Sequence, residues 1–309
     1  KEKRIFNPET ALKIRIDRNK ESKSFPKIKM QQLKEFDSSF SPLIKQGLSV
    51  ETVMNNDKEL SIVTSRTVRN WINKSYLDAK RHDLRNAVTR PYKLEYDYQN
   101  KRVSRNPLIK VGRTYTSFLD YFKSHDPNEI TQFDTVHGLK GDKGCLLTIH
   151  HPKTKFQFGM KLNSCSSNEV ISKMQELRNR LGDSLYLKFF RIMLCDNGIE
   201  FDDMYKLETD YETGEIYGKV FYTRPYNSGD KGSCERNHEF FRYFYPKKKS
   251  LEALTQEEID EIFSRINSYP RKSLDFKNPN TLMKRLMGEE FLSKLNIKEI
   301  PFKKIILKK

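Results

Sequence analysis

Apolar positions along the chain change texture near Asn128, from runs with helical spacing to short strand-like runs between turns. Ahead of it, three short runs have helical spacing: Phe40 to Gln46, Ser49 to Asn56, and Ser65 to Lys74, separated by Gly47 and by Asp57 to Thr64. In the third run Val68, Trp71 and Ile72 fall at i, i+3 and i+4 and should pack inward, with Thr64 or Ser65 as N-cap. Arg66, Thr67, Arg69, Asn70 and Asn73 then face outward. Helix, glycine, helix, turn, helix predicts a helix-turn-helix, whose last helix would offer Arg and Asn to base edges in a major groove. The same polar face would also suit an ordinary solvated amphipathic helix.

From Asn128 onward the runs are short and strand-like: Ile130 to Asp134, Cys145 to His150 and Phe156 to Leu162, with turns at Gly138 to Gly144 and Pro152 to Lys155. They predict an antiparallel meander. An amphipathic helix follows over Asn168 to Leu181, with Val170, Ile171, Met174, Leu177 and Leu181 on one face. Two more apolar runs, Phe189 to Leu194 and Lys219 to Tyr222, precede further helices. Three strands, a helix, two strands and then helices give an α/β fold, a ribonuclease-H-like mixed sheet with flanking helices, behind an all-α region.

The expected organisation is a basic N-terminal arm at 1–37, a helix-turn-helix DNA-binding domain at 38–78, a basic linker at 79–125, the α/β domain at 126–285 and a peripheral basic tail at 286–309. The linker interleaves Arg81, Arg85, Arg90, Tyr92, Tyr96, Tyr98, Lys101, Arg102 and Arg105, and ends in a helical stretch from Tyr115 to Lys123.

Charge sharpens this picture. The chain's 309 residues include 58 Lys and Arg against 41 Asp and Glu, a net charge of +17. Residues 1–120 hold 26 of the cations and 14 of the anions, so the excess is concentrated ahead of the sheet. A polyanionic partner gripped by the first half is the natural expectation, with binding that weakens as salt rises. Four cysteines, Cys145, Cys165, Cys195 and Cys234, have no Cys-x-x-Cys spacing and are expected as reduced thiols of a cytoplasmic protein. Neither a long apolar run nor a charged-then-apolar leader is present, so no membrane span or secretion signal is expected. The chain opens on Lys1 without a methionine, which implies a native segment ahead of it.

The candidate chemistry is carboxylate chemistry. Asp134 closes the first strand, and Asp196 ends the fourth, ahead of Asn197-Gly198. Strand ends facing one crevice are where reactive groups meet in an open α/β sheet. Asp-Asn-Gly is equally the sequence of a plain tight turn. Between Gly232 and Phe244 a helical wheel groups Glu235, His238, Glu239 and Arg242 on one side, with Cys234, Phe240, Phe241 and Phe244 on the other. Three carboxylates from two strands and a helix would suit two hard cations, Mg²⁺ or Mn²⁺, activating the attacking oxygen and stabilising the leaving one at phosphorus. His150-His151 invites a metal reading, but neighbours on a strand point to opposite faces.

Four segments in order carry a family resemblance: Phe133-Asp134-Thr135-Val136-His137-Gly138; Asp196-Asn197-Gly198-Ile199-Glu200-Phe201; the Glu235 to Pro246 helix ending Tyr-Phe-Tyr-Pro; and Asn267 to Leu274. From Asp134 to Pro279 the chain resembles the catalytic domain of bacterial insertion-sequence transposases of the Asp-Asp-Glu type, most closely the IS-thirty family, whose core is similar to that of retroviral integrases. The resemblance implies Asp134, Asp196 and Glu235 as the metal-holding catalytic triad, and Arg242 and Asn237 as residues that touch DNA. It also implies binding to the terminal inverted repeats of an element, strand cleavage and strand transfer into a target, and a homodimer or higher assembly on double-stranded DNA. A ribonuclease-H-type or structure-specific nuclease, and a DNA-binding regulator derived from a transposase, are the alternatives. The segment Lys206 to Gly218 and the Asp230-Lys231 pair depart from the family pattern.

Overall fold

The computed structural model describes residues 28–85, 110–210, 213–225, 227–247 and 249–307. The arm up to residue 27 and the basic stretch at 86–109, with Arg90, Tyr92, Tyr96, Tyr98, Lys101, Arg102 and Arg105, lie outside these. The chain divides into two compact units, Lys1–Val88 and Thr89–Lys309.

In the first unit three helices, α1 (Met30–Lys45), α2 (Val50–Asn56) and α3 (Ser65–Asn73), bury one apolar core. The first begins ten residues before the periodic run that predicted it. Leu33 and Phe36 extend its buried stripe towards the N-terminus, and Phe36 stacks on Phe40 and meets Trp71 edge-on. Ser49 caps α2 and Thr64 caps α3, each hydroxyl accepting from the backbone N–H three residues on. The chain after α3 is fastened back to α1, since Asp37 accepts from the Asp78 N–H and Ser41 from that of Ala79.

The second unit is built on a five-stranded sheet of order β3-β2-β1-β4-β5, with β1 (Ile130–Val136), β2 (Cys145–His151), β3 (Phe156–Leu162), β4 (Ile192–Cys195) and β5 (Lys219–Tyr222). The first three strands form an antiparallel meander, while β4 and β5 run parallel to β1. This is the ribonuclease-H-like mixed sheet that the order of apolar runs predicts. The fourth strand starts later than its apolar run, because Phe189 closes a short helix, α6 (Asp183–Phe189), after α5 (Ser167–Leu181). Its ring packs edge-on to Phe190 and against Phe291, so it is core without being strand.

Helices cover the sheet. α4 (Tyr115–Phe122), expected as the end of a linker, packs Phe118 on Phe221 beside Ile130, Ile192 and Leu194. α7 (Gly232–Phe244) carries the candidate glutamate, and α8 (Gln256–Ser268) lies along β3. Gly159 makes the second approach possible: a Cβ there would stand 2.5 Å from the Phe263 ring. The amides of α8 also cover the outer border of β3. Asn267 both accepts from Gln157 N–H and donates to its carbonyl, and Gln256 does the same for Lys161 N–H and the Gly159 carbonyl. At the opposite border Val220 N–H donates to Glu208 and Tyr222 N–H to the Arg113 carbonyl.

Residues 286–307 do not hang from this unit as a peripheral tail. After α9 (Pro279–Met287), helix α10 (Glu289–Lys294) inserts Phe291 beside Phe156 and Phe189, and Ile305 and Leu307 are buried. The expectation of four reduced thiols is also corrected. Cys145, opening β2, and Cys165, ahead of α5, are joined as a disulfide with Cα atoms 5.8 Å apart, a pairing that spacing of 20 residues gave no reason to expect. Cys195 and Cys234 are free and buried. Among the described residues no helix is long and apolar enough to cross a membrane.

Candidate active site

The parallel pairing of β1 and β4 brings the two aspartates together. Ile130 lies opposite Ile192 and Gln132 opposite Leu194, and the same register continued by two residues sets Asp134 beside Asp196. Asp196 is held at its turn by the Gly198 N–H, 3.0 Å away. Thr148, opposite Asp134 on β2, donates to the Asp134 carbonyl and fixes the strand there.

Between the two carboxylates lies a cation that the sequence did not single out as functional. The Lys231 ammonium is 3.4 Å from Asp134 Oδ1 and 3.8 Å from Asp196 Oδ2, and it donates to the Phe133 carbonyl at 2.8 Å. Its side chain is only 8% exposed. Burial alone would lower the pKa of such an ammonium, but the two aspartates outweigh burial and hold it above its ordinary value. The loop ahead of it is closed by Arg224, which forms a two-pronged pair with Asp230 and lies over the Tyr115 ring.

On its other side Asp134 faces α7. His238 Nδ1 is 3.8 Å from Asp134 Oδ2, and its Nε2 shares a hydrogen bond with Thr148 Oγ1. Asp134, Cys234 and His238 are a group whose ligand atoms lie within 4.8 Å of one another. Burial pushes the His238 imidazole down to about 4 despite the pull of Asp134, and it raises the Cys234 thiol. Glu235, the next residue along α7, is exposed and is not part of that group. The helical wheel is therefore turned from the expected one: Cys234, Asn237, Phe241 and Phe244 are buried, His238 points inward, and Phe240 lies half-buried against Tyr269 and Arg271.

Asn237 does not face solvent. It is 1% exposed, donates to His150 Nδ1 and the Lys155 carbonyl, and accepts from Arg271. The wheel missed this because a buried asparagine with a full set of partners substitutes for an apolar residue. Arg242, two turns beyond Glu235, is half-buried and donates to the His137 carbonyl at 2.8 Å, tying α7 to the segment after β1. His150 and His151 engage separate partners, Ser233 and Asn237 for the first, Thr154 and Asn128 for the second.

A further acid, Glu200, is buried beside the site and accepts from Thr135 Oγ1 at 2.7 Å. Burial and the charge of Asp196 both raise its pKa. Its position four residues after Asp196 was visible in the sequence, but its inward turn depends on the 3₁₀ turn Ile199–Phe201.

In the other unit, the outward residues of α3 differ among themselves. Arg66, Asn70 and Asn73 are exposed. Thr67 is half-buried, its hydroxyl sharing a hydrogen bond with Thr64. Arg69 makes a two-pronged pair with Glu51 of α2, at 2.8 and 2.9 Å from the two oxygens.

Comparison with known proteins gives the site a context. No family model matches the chain. The transposase of insertion sequence element IS4351 from Bacteroides fragilis is 24% identical over 260 residues, covering 80% of this chain and 72% of that protein. The transposase InsI of element IS30C from Escherichia coli is 29% identical over 156 residues, covering 49% of this chain and 37% of the relative, so the match spans little more than a third of its length. Among solved structures, the catalytic core domain of BIV integrase aligns over 50% of this chain and 93% of its own, with 15% identity and a TM-score of 0.34. The HTLV-2 integrase catalytic core in complex with magnesium aligns over 50% and 95%, with 18% identity and a TM-score of 0.33. By sequence, this chain is similar to bacterial insertion-sequence transposases, those of the IS30 elements among them.

Proposed function

We propose that the chain is a DNA transposase that binds the terminal inverted repeats of its insertion sequence and cleaves and joins DNA strands at Asp134, Asp196 and Glu235. The observation that carries this reading is the pair of aspartates at adjacent parallel strand ends, sharing one buried cation. An ammonium held between two carboxylates marks a place built for positive charge, and an all-oxygen pair fits Mg²⁺ or Mn²⁺. Asp134 and Asp196 would hold one ion between them, and Glu235, exposed on the first turns of α7, would complete the set for a second. Bound there, divalent ions supply Lewis acidity to the attacking and leaving oxygens of an in-line displacement.

The chain's own residues do the rest. Gly198 and Thr148 fix the two strand ends, and Arg242 anchors the glutamate's helix to the segment after β1. Water attacking the phosphodiester at the element's end would release a 3′ hydroxyl. That hydroxyl, attacking a target phosphodiester, would form the joint and expel the target's own 3′ oxygen. Arg66, Thr67, Asn70 and Asn73 on α3 would read the repeat, with Arg69 supporting that helix through Glu51, and the chain would act as a dimer or larger assembly on DNA in the bacterial cytoplasm. The domain boundaries of the sequence reading, 38–78 for DNA binding and 126–285 for catalysis, belong to this proposal, with α4 and 286–307 added to the catalytic unit.

The test is strand cleavage and joining on a labelled duplex carrying the element's end, with Mg²⁺ or Mn²⁺, comparing the unaltered protein with Glu235→Gln. Products longer than the substrate, lost in the variant while DNA binding and thermal stability are kept, are expected. Cleavage without joining would favour a nuclease, and full activity in the variant would remove Glu235 from the triad.

A further inference from the structure

The position of Lys231 has a consequence for how the site takes up metal, one that rests on the reading of Asp134 and Asp196 as metal ligands. Two carboxylates brought together at strand ends repel one another unless a cation stands between them. Lys231 is that cation. It has one hydrogen bond, to the Phe133 carbonyl, and two ion pairs, at 3.4 and 3.8 Å, longer than hydrogen bonds and directed at one oxygen of each aspartate. Its backbone is the N-cap position of α7, and the loop leading to it is closed by Arg224 and Asp230, so the stem enters the site from a fixed base.

A divalent ion bound to both aspartates would stand roughly 2.1 Å from each coordinating oxygen. That is the region the ammonium faces, and two cations in one small buried space repel strongly. We propose that Lys231 is a resident counter-ion of this site, which keeps Asp134 and Asp196 together in the metal-free protein and is displaced when a divalent ion binds between them. The lysine then sets the metal affinity of the DNA-free protein as a competitor, and its four-carbon stem gives it the reach to withdraw. Lys231 acts through the aspartates and is a positioning residue.

The experiment is Mn²⁺ binding to the full DNA-free chain, followed by the loss of the free-ion electron paramagnetic resonance signal, for the unaltered protein, Lys231→Met, Lys231→Gln and Asp196→Asn. Both lysine variants should bind Mn²⁺ at least tenfold more tightly than the unaltered protein, and Asp196→Asn should bind it at least tenfold more weakly. In parallel, the unaltered protein is treated with an amine-reactive reagent at rising Mn²⁺ and the peptide containing Lys231 is quantified by mass spectrometry. Its labelling should rise several-fold as Mn²⁺ saturates the site, a result that does not depend on whether the variants fold. Unchanged affinity in folded lysine variants, or unchanged labelling of Lys231, would overturn the inference while leaving the aspartates as ligands if Asp196→Asn loses binding. Unchanged binding in Asp196→Asn would overturn the metal reading itself and this inference with it.

Discussion

The guanidinium of Arg271 donates to the side-chain oxygen of Asn237, fastening the segment after α8 to the buried face of α7. Both groups are at least nine-tenths buried, and the same asparagine holds His150 and the Lys155 carbonyl. Two of the sequence segments that carry the family resemblance, the α7 helix and Asn267 to Leu274, thus meet in one polar knot behind the candidate glutamate.

Replacing Asn237 with Ala removes the acceptor from a buried guanidinium and should lower the unfolding free energy by about 2–4 kcal/mol. DNA affinity of the protein that remains folded should be unchanged. Chemical denaturation together with DNA binding by fluorescence anisotropy checks both. An unaltered denaturation midpoint with lost DNA binding would return Asn237 to the DNA-contacting role expected from the sequence.

Stability should fall as pH drops through the histidine range. His238 is pushed down to about 4 from an ordinary 6.5, and burial also lowers His150 and His151. The folded protein keeps these rings neutral, so below about pH 6.5 the unfolded chain takes up protons that the folded one does not. The stability present above the ordinary value is lost between 6.5 and 4, with His238 alone accounting for about 3 kcal/mol. Denaturant titrations at a series of pH values measure it, and His238→Gln should flatten part of the slope. A flat profile over this window would contradict the buried neutral rings.

Glu200 has the opposite sign. Its raised pKa means that the folded state favours the protonated acid, so its contribution is full below the ordinary glutamate value and is lost as pH rises through the folded one. Glu200→Gln, which imitates the protonated form, should melt at a higher temperature than the unaltered protein at pH 8, with the difference vanishing at about pH 4. Differential scanning calorimetry at the two pH values decides it, and a lower melting temperature at pH 8 would show that the ionised carboxylate is needed.

Arg66 and Arg69 should separate cleanly although the sequence grouped them. Arg66 is exposed, and its change to Ala should weaken binding to the element's end by about 1–3 kcal/mol. Arg69 is engaged by Glu51, and its change to Ala should cost less than about 1 kcal/mol of stability and have the smaller effect on DNA. Electrophoretic mobility shifts across a salt series, alongside thermal melts, measure the pair. A larger DNA effect at Arg69 would reverse their roles.

Most strands and helices were legible because helically spaced apolar runs give way to short apolar runs bounded by turns where the sheet begins, and because Ser49 and Thr64 are good N-caps. The nearness of Asp134 and Asp196 was legible from their place at strand ends. Lys231 and Asn237 were not read as they stand, since each depends on pairing across 30 residues or more, and Glu200 was not, since its inward turn needs both a 3₁₀ turn and the distant Thr135 hydroxyl. The α7 wheel was mis-set for the same reason: periodicity ranks His238 as polar and turns it outward, whereas Thr148 supplies a partner that draws it in, as His150 and Arg271 do for Asn237. Phe189 was read as strand because an apolar residue in a helix end and one in a buried strand look alike over short runs.

Both borders of the sheet are closed by other parts of the same chain, Asn267 and Gln256 on one side, Glu208 and the Arg113 carbonyl on the other. A sheet with sealed margins offers no border to a neighbour's strand, and on the proposed function this would guard copies of a strongly basic protein gathered on DNA against fibrillar association. Copies gathered at the two ends of one element would have to recognise each other through helix faces, loops or the DNA itself, and could part again without any sheet being torn.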